Sequence, residues 1–261
     1  MVASSPPATA DASAIALTLD LDWAPDHVLE DTRLLLEEAG LPATIFATHQ
    51  SPAGAALLAL PGCETGVHPN FLGGLDEDAV LTRLLGEFPG ATGVRNHALF
   101  YHSRLLPLLH RKGMRYLSND LLFLQSGLAP FYDWSGLVRL PIYWEDDVHC
   151  LYFDSRFDRE ALQLEQPGLK ILNFHPVHLF LNTRELADYE AAKPTLADPV
   201  AALARRRPGP GIRSLFLDLA GRLRGAEMRT LGQMAETFRA ETSFSGQTAE
   251  RFARVAHQER R

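Results

Sequence analysis

The stretch Ile15-Ala16-Leu17-Thr18-Leu19-Asp20-Leu21-Asp22 runs into Trp23-Ala24-Pro25-Asp26. A mostly apolar run ends in two carboxylates spaced two apart, the pattern of a buried strand that finishes in acid. Pro25 then opens a helix over residues 26–39, with Leu29, Leu34, Leu35 and Leu36 on a broad apolar face and Gly40 as its stop. Strand, turn and helix in that order make the first unit of a parallel α/β fold. The acid pair is open to two readings. It is either a turn that closes an ordinary strand or the start of an active site.

The unit recurs along the chain. Extended segments are predicted at 44–49, 64–68, 92–95, 114–117, 137–141 and 170–174. Helices are predicted from Ser51, a plausible cap, and over 76–87, 104–111 (stopped by Gly113) and 185–192. The number of such units favours a barrel over a small open sheet. The stretch 193–199, KPTLADP, breaks the pattern, and two further helices are predicted at 212–223 and 228–240. The expected organisation is a disordered leader (1–13), a barrel domain (14–195) and a C-terminal helical extension (196–261). Arg205, Arg206 and Arg207, beside Pro208 and Gly209, read as a solvated linker rather than a phosphate site.

With 261 residues, 46% hydrophobic and 22% charged, the chain can bury a substantial core. A formal charge of -7 argues against nucleic acid as a partner. Two cysteines, Cys63 and Cys150, make neither a disulfide framework nor a thiolate zinc site. No apolar run of membrane-spanning length is present, and the N-terminus lacks the features of a signal peptide, so a cytoplasmic location is expected. No Gly-x-Gly-x-x-Gly follows the first strand, which disfavours dinucleotide binding.

In parallel α/β folds the C-terminal ends of the strands face the ligand. Here those ends carry Asp20 and Asp22, then His68, then Arg95-Asn96-His97, then His175, with Trp144-Glu145-Asp146-Asp147 after another extended run. Two carboxylates pointing the same way from one strand repel unless a cation or a proton separates their roles. One carboxylate with two imidazoles is a common hydrolytic zinc set that leaves room for water, and His68 and His97 supply the imidazoles if they lie near Asp22. His175 is either a buried structural histidine or an acid beside the metal. Arg95 can pair bidentately with a carboxylate such as Asp20 or Asp147, or form a surface salt bridge. His27, His49, His102, His110 and His149 read as surface groups or as supports behind the site. Trp23, Phe71, Phe131, Tyr132, Trp134, Tyr143 and Trp144 are candidates either for core or for the wall of a sugar groove.

Taken in order, TLDLDW, VHPNF, RNHALF, WEDD and LNFHP resemble the motifs of the polysaccharide deacetylase superfamily of carbohydrate esterases and N-deacylases, in its branch associated with surface-polysaccharide biosynthesis. The resemblance spans roughly residues 15–182. It implies a distorted TIM-like (β/α)7 barrel with the helical extension added. It assigns Asp20 as general base and Asp22 as metal ligand, with His68 and His97 completing the ligand set. Arg95 would orient the base, Asp147 or Asp146 would tether Arg95, and His175 would be the general acid. VHPNF lacks the second histidine that the family commonly carries on that turn, and His97 is the residue expected to replace it. The implied cofactor is a divalent metal, most simply Zn2+, and the implied substrate is a small carbohydrate or glycan precursor that loses an acetyl or formyl group. Two other readings stand beside it: a metal-dependent hydrolase of a non-sugar amide or ester, and a non-catalytic glycan-binding homologue.

Overall fold

Apolar strands of five or six residues build the centre of the molecule: β1 (Ile15–Asp20), β2 (Ala43–Ala47), β3 (Cys63–Val67) and β9 (Lys170–Phe174). The structure is a computed structural model and describes residues 14–152 and 156–242. The expected leader at 1–13 lies outside the described residues, as does the end of the C-terminal extension. Shorter strands complete the sheet: β4 (Gly93–Val94), β5 (Tyr116–Leu117), β6 (Phe131–Tyr132), β7 (Val138–Arg139) and β8 (Trp144–Glu145). Their order is β6-β7-β5-β4-β3-β2-β1-β9-β8, and all pairings are parallel except β6 with β7.

The sheet is a curled, open form of the expected barrel. The extended run 138–145 hydrogen-bonds to the β5 side at its start, through Val138 and Leu140, and to Ile171 through Tyr143 at its end. Leu121 pairs with Ile142 on the way. One continuous segment thus carries the curl from β7 back toward β9. The short strand β8 was not predicted, because Trp144 and Glu145 fall in an acidic stretch that looks like loop.

Helices cover the sheet: α1 (Asp26–Ala39), α2 (Pro52–Leu58), α3 (Glu77–Glu87), α4 (Leu105–Arg111), α5 (Asp146–Tyr152), α6 (Pro176–Leu181), α7 (Leu186–Ala192) and α8 (Pro199–Leu203). Helix α1 ends where Gly40 takes φ 63° and returns its N–H to Leu36, a conformation that costs glycine least. Among the described residues, no helix is long and apolar enough to cross a membrane. The last two helices, α9 (Ile212–Leu223) and α10 (Leu231–Glu241), pack back on the sheet. Helix α9 buries Leu215, Phe216 and Leu219 in the main core. The N-terminus of α10 docks at the opposite end of the sheet from the acid pair. There Leu231 N–H donates to Thr44 Oγ1 at 2.8 Å, and Gly232 N–H donates to Glu64 Oε2 at 2.7 Å. Near the linker, Arg206 and Arg213 both bond Asp31 of α1, so Arg206 is paired rather than simply solvated.

Candidate active site

The strand β1 stops at Asp20, and the backbone then turns sharply: Asp22 has φ 42° and Trp23 φ 54°. Asp22 therefore leaves the alternation of the strand, and its carboxylate meets two imidazoles delivered by β3 and β4. Its Oδ1 lies 3.0 Å from His68 Nε2 and 3.1 Å from His97 Nδ1. His68 follows β3 directly, and its N–H to Ala47 C=O continues the ladder. His97 sits two residues beyond Arg95, after the short β4. Burial opposes ionisation of Asp22, but the hydrogen bonds from His68 and His97 and the nearby His175 outweigh it and hold the acid far below the usual carboxylate range. The same bond to Asp22 raises the pKa of His97 against partial burial.

Beside this cluster lies Asp20, buried at the end of β1. Its Oδ1 accepts from Arg95 Nη1 at 3.1 Å and its Oδ2 from Asn173 Nδ2 at 2.9 Å. Arg95 is fully buried and stands over the Phe46 ring, 4.5 Å from its centroid. It also donates to Ser118 C=O, Ser118 Oγ, Thr18 Oγ1 and Asn173 Oδ1. Five donor contacts leave it one orientation.

His175 comes off the end of β9. Asp146, the first residue of α5, accepts from His175 backbone N–H at 2.8 Å and faces His175 Nδ1 at 2.6 Å. Burial would lower the pKa of His175, but Asp146, with Asp22 and Asp147, raises it well above the usual histidine value. The other ring nitrogen, Nε2, lies 3.7 Å from Asp22 Oδ2 and 3.9 Å from both Asp20 Oδ2 and Glu145 Oε1. Burial, with Asp147 and Asp20 nearby, pushes the Glu145 carboxyl up to about 8.

The structure gathers Asp20, Asp22, His68, Arg95, His97 and His175 at one end of the sheet. Asp147 is a correction. Neither it nor Asp146 is among the hydrogen-bond partners of Arg95: Asp147 Oδ1 accepts from Val148 N–H at the start of α5, and Asp146 binds His175. Strand β8 hands over to α5 within this acidic run, and the handover turns Asp146 inward and Asp147 aside. The sequence does not single out Asn173, Thr18 or Ser118 as site residues, and it gives Glu145, within its acidic run, no role. Asn173 and Thr18 are register partners on adjacent strands, and a polar residue inside the apolar segment KILNF was the available signal. His149, expected either at the surface or as a support behind the site, is buried and accepts from Trp144 Nε1 at 3.3 Å. Of the candidate aromatics, Phe71, Tyr143 and Trp144 are core, whereas Trp23, Phe131 and Trp134 are exposed.

The residues fit a divalent ion. Asp22, His68 and His97 offer one oxygen and two nitrogens, all within 4.8 Å of one another. That donor set suits zinc and its neighbours. His68 Nδ1 is buried without a hydrogen bond and lies 3.8 Å from Asp20 Oδ1. A ligating imidazole commonly turns its second nitrogen to a carboxylate in this way.

Comparison with known proteins agrees with this geometry. The profile of a family described as "WbmS-like: Polysaccharide deacetylase" matches residues 17–193. A Bordetella bronchiseptica crystal structure, described as a polysaccharide deacetylase involved in O-antigen biosynthesis (WbmS), is 38% identical. The match covers 80% of this chain and 90% of that one, with a TM-score of 0.72. A Mycobacterium smegmatis structure, also described as a polysaccharide deacetylase, is 22% identical, covers 91% of this chain and 93% of that one, and has a TM-score of 0.57; it bears on the fold alone. No curated protein matches the chain. The chain belongs to the WbmS-like polysaccharide deacetylases, metal-dependent hydrolases, and its Asp22, His68 and His97 form a cluster that could hold a metal ion.

Proposed function

We propose that the protein hydrolyses the N-acyl amide, acetyl or formyl, of an amino sugar in a surface-glycan precursor, in the cytoplasm, with zinc as the ion. The observation that carries this reading is the convergence of Asp22, His68 and His97 beside two separately oriented proton-handling groups, Asp20 and His175. Asp22, His68 and His97 would hold a divalent ion, which would supply Lewis-acid polarisation of the amide carbonyl and acidify water.

The remaining chemistry belongs to the chain. Asp20, fixed by Arg95 and Asn173, takes the proton of the attacking water. His175 has its Nδ1 engaged by Asp146, which leaves Nε2 to carry a proton toward the reacting centre. It gives that proton to the leaving amine, which departs poorly without one. The base and the acid thus occupy different strand ends. The O-antigen role described for the Bordetella relative supports a surface-glycan precursor as the substrate.

The test is acyl release from N-acetylated and N-formylated amino sugars, with non-sugar amides and esters in parallel. Chelation abolishes turnover and added Zn2+ restores it. Asp20→Asn keeps the metal and loses turnover, whereas Asp22→Ala loses both. Full metal content with parental rates in the Asp22 variant would overturn the assignment. Faster turnover of the non-sugar amides would overturn the substrate class.

A further inference from the structure

The turn that carries Asp22 breaks a local rule. Leu21 C=O accepts from Ala24 N–H at 2.8 Å, closing a four-residue turn whose central residues, Asp22 and Trp23, both have positive φ (42° and 54°). Turns with two left-handed central residues favour Asn or Asp first and Gly second. Asp22 suits the first place. Trp23 is a poor choice for the second, because its Cβ crowds the backbone there. Trp23 remains 45% exposed, so a large part of the indole faces outward.

The strained residue is nevertheless held firmly. Trp23 N–H donates to Thr48 Oγ1 at 3.1 Å, just beyond the end of β2. The indole and the His97 ring meet in a T-shaped contact, 5.1 Å between centroids with the planes at 82°. A half-exposed aromatic plate therefore borders the ligand cluster itself. Tyr101, another exposed aromatic, differs in having the Arg139 guanidinium 5.2 Å from its ring centroid. A bulky side chain where glycine fits the backbone better, with nearly half of its surface facing outward beside the ligand cluster, points to a functional role.

We propose that Trp23 is the sugar-binding wall of this site, its indole packing against the C–H face of the pyranose ring whose N-acyl group is hydrolysed. The inference rests on the deacylase reading above and adds the residue that selects a sugar over a bare amide. A pyranose presents a patch of slightly positive C–H groups on one face, which matches the negative face of an indole. The contact with His97 places that plate beside the ligand set.

The experiment compares the parent with Trp23→Gly, Trp23→Leu and Trp23→Phe, all loaded with Zn2+, on an N-acetylated amino-sugar oligosaccharide. In Trp23→Gly the relieved backbone offsets part of the lost burial, so the melting temperature falls by less than about 5 °C, and zinc affinity is unchanged. Its KM rises about tenfold, equivalent to ~1.4 kcal/mol of binding, with a smaller change in kcat. Trp23→Leu, apolar but without an aromatic face, shows the same KM rise, and Trp23→Phe restores most of the loss. An unchanged KM in both Gly and Leu variants overturns the proposal. So does a fall of more than about 5 °C in Trp23→Gly, which would make the indole a structural element. If the parent releases no acyl group from any sugar, the deacylase reading falls on its own. Binding of N-acetylglucosamine measured by NMR then decides for Trp23: lost binding in Trp23→Gly supports the wall, and equal binding refutes it.

Discussion

Replacing Arg95 by methionine tests whether Asp20 depends on its buried partner. The guanidinium donates to five acceptors, and one of them, Asp20, carries a charge at 2% exposure. Removing one side of a buried ion pair costs about 3–5 kcal/mol. Asp20→Asn alone removes the charge while Arg95 keeps its bonds to Ser118, Thr18 and Asn173. Those neutral acceptors partly support the buried cation, so the cost lies at the low end of that range, about 3 kcal/mol. In the double variant no carboxylate is stranded, so the combined cost falls short of the sum by about 1.5–3 kcal/mol. Denaturant unfolding of the four proteins, metal-free and at one pH, gives this coupling directly. Additivity within about 0.5 kcal/mol would refute the claim that Arg95 is there for Asp20.

Three more outcomes follow from buried groups. Glu145 has its folded pKa raised to about 8, so its neutral form stabilises the fold below the unfolded carboxyl pKa, and that contribution is lost as pH rises toward 8. Glu145→Gln is accordingly more stable than the parent above about pH 5, by an amount that grows to a few kcal/mol near pH 8; parallel stability–pH curves for the two proteins would contradict this. In Asp146→Asn a single amide oxygen replaces two carboxylate oxygens that serve His175 backbone N–H and Nδ1. His175 is pulled down by burial and held up by Asp146, so the variant loses protonated His175 at lower pH. The alkaline limb of its pH–rate profile moves down and kcat falls by about 10²–10⁴; an unmoved limb contradicts the role of Asp146. Finally, a Cβ at Gly232 would collide with the Glu64 carboxylate, with Cδ only 2.8 Å away. Gly232→Ala then costs about 1–3 kcal/mol by calorimetry, and a melting temperature equal to the parent's would show that α10 does not depend on this contact.

What the sequence disclosed follows from where its signals lie. Strand ends are legible because an apolar run stops at a polar residue, and Asp20, His68, Arg95 and His175 all sit at such stops. Asp22 stands out in the sequence through alternation on a strand, whereas the backbone brings it to the histidines by leaving the strand. In Trp144-Glu145-Asp146-Asp147 three consecutive acids hid the change from β8 to α5, and the side each one faces depends on the residue at which that change occurs. Asn173, Thr18 and Ser118 stayed invisible as holders of Arg95 because their meeting depends on strand register, which one sequence does not encode locally. Helix α6 was hidden for another reason: all six of its residues are buried, so it has no polar face to give it a helical period.

The central claim is a metal held by Asp22, His68 and His97. Anomalous diffraction at the zinc edge, on crystals of the protein equilibrated with Zn2+, tests it most directly. The account predicts one strong peak with an Asp22 oxygen and a nitrogen from each of His68 and His97 at bonding distance, absent from crystals of Asp22→Ala treated identically. A peak elsewhere, or one that survives in the Asp22 variant, would contradict it.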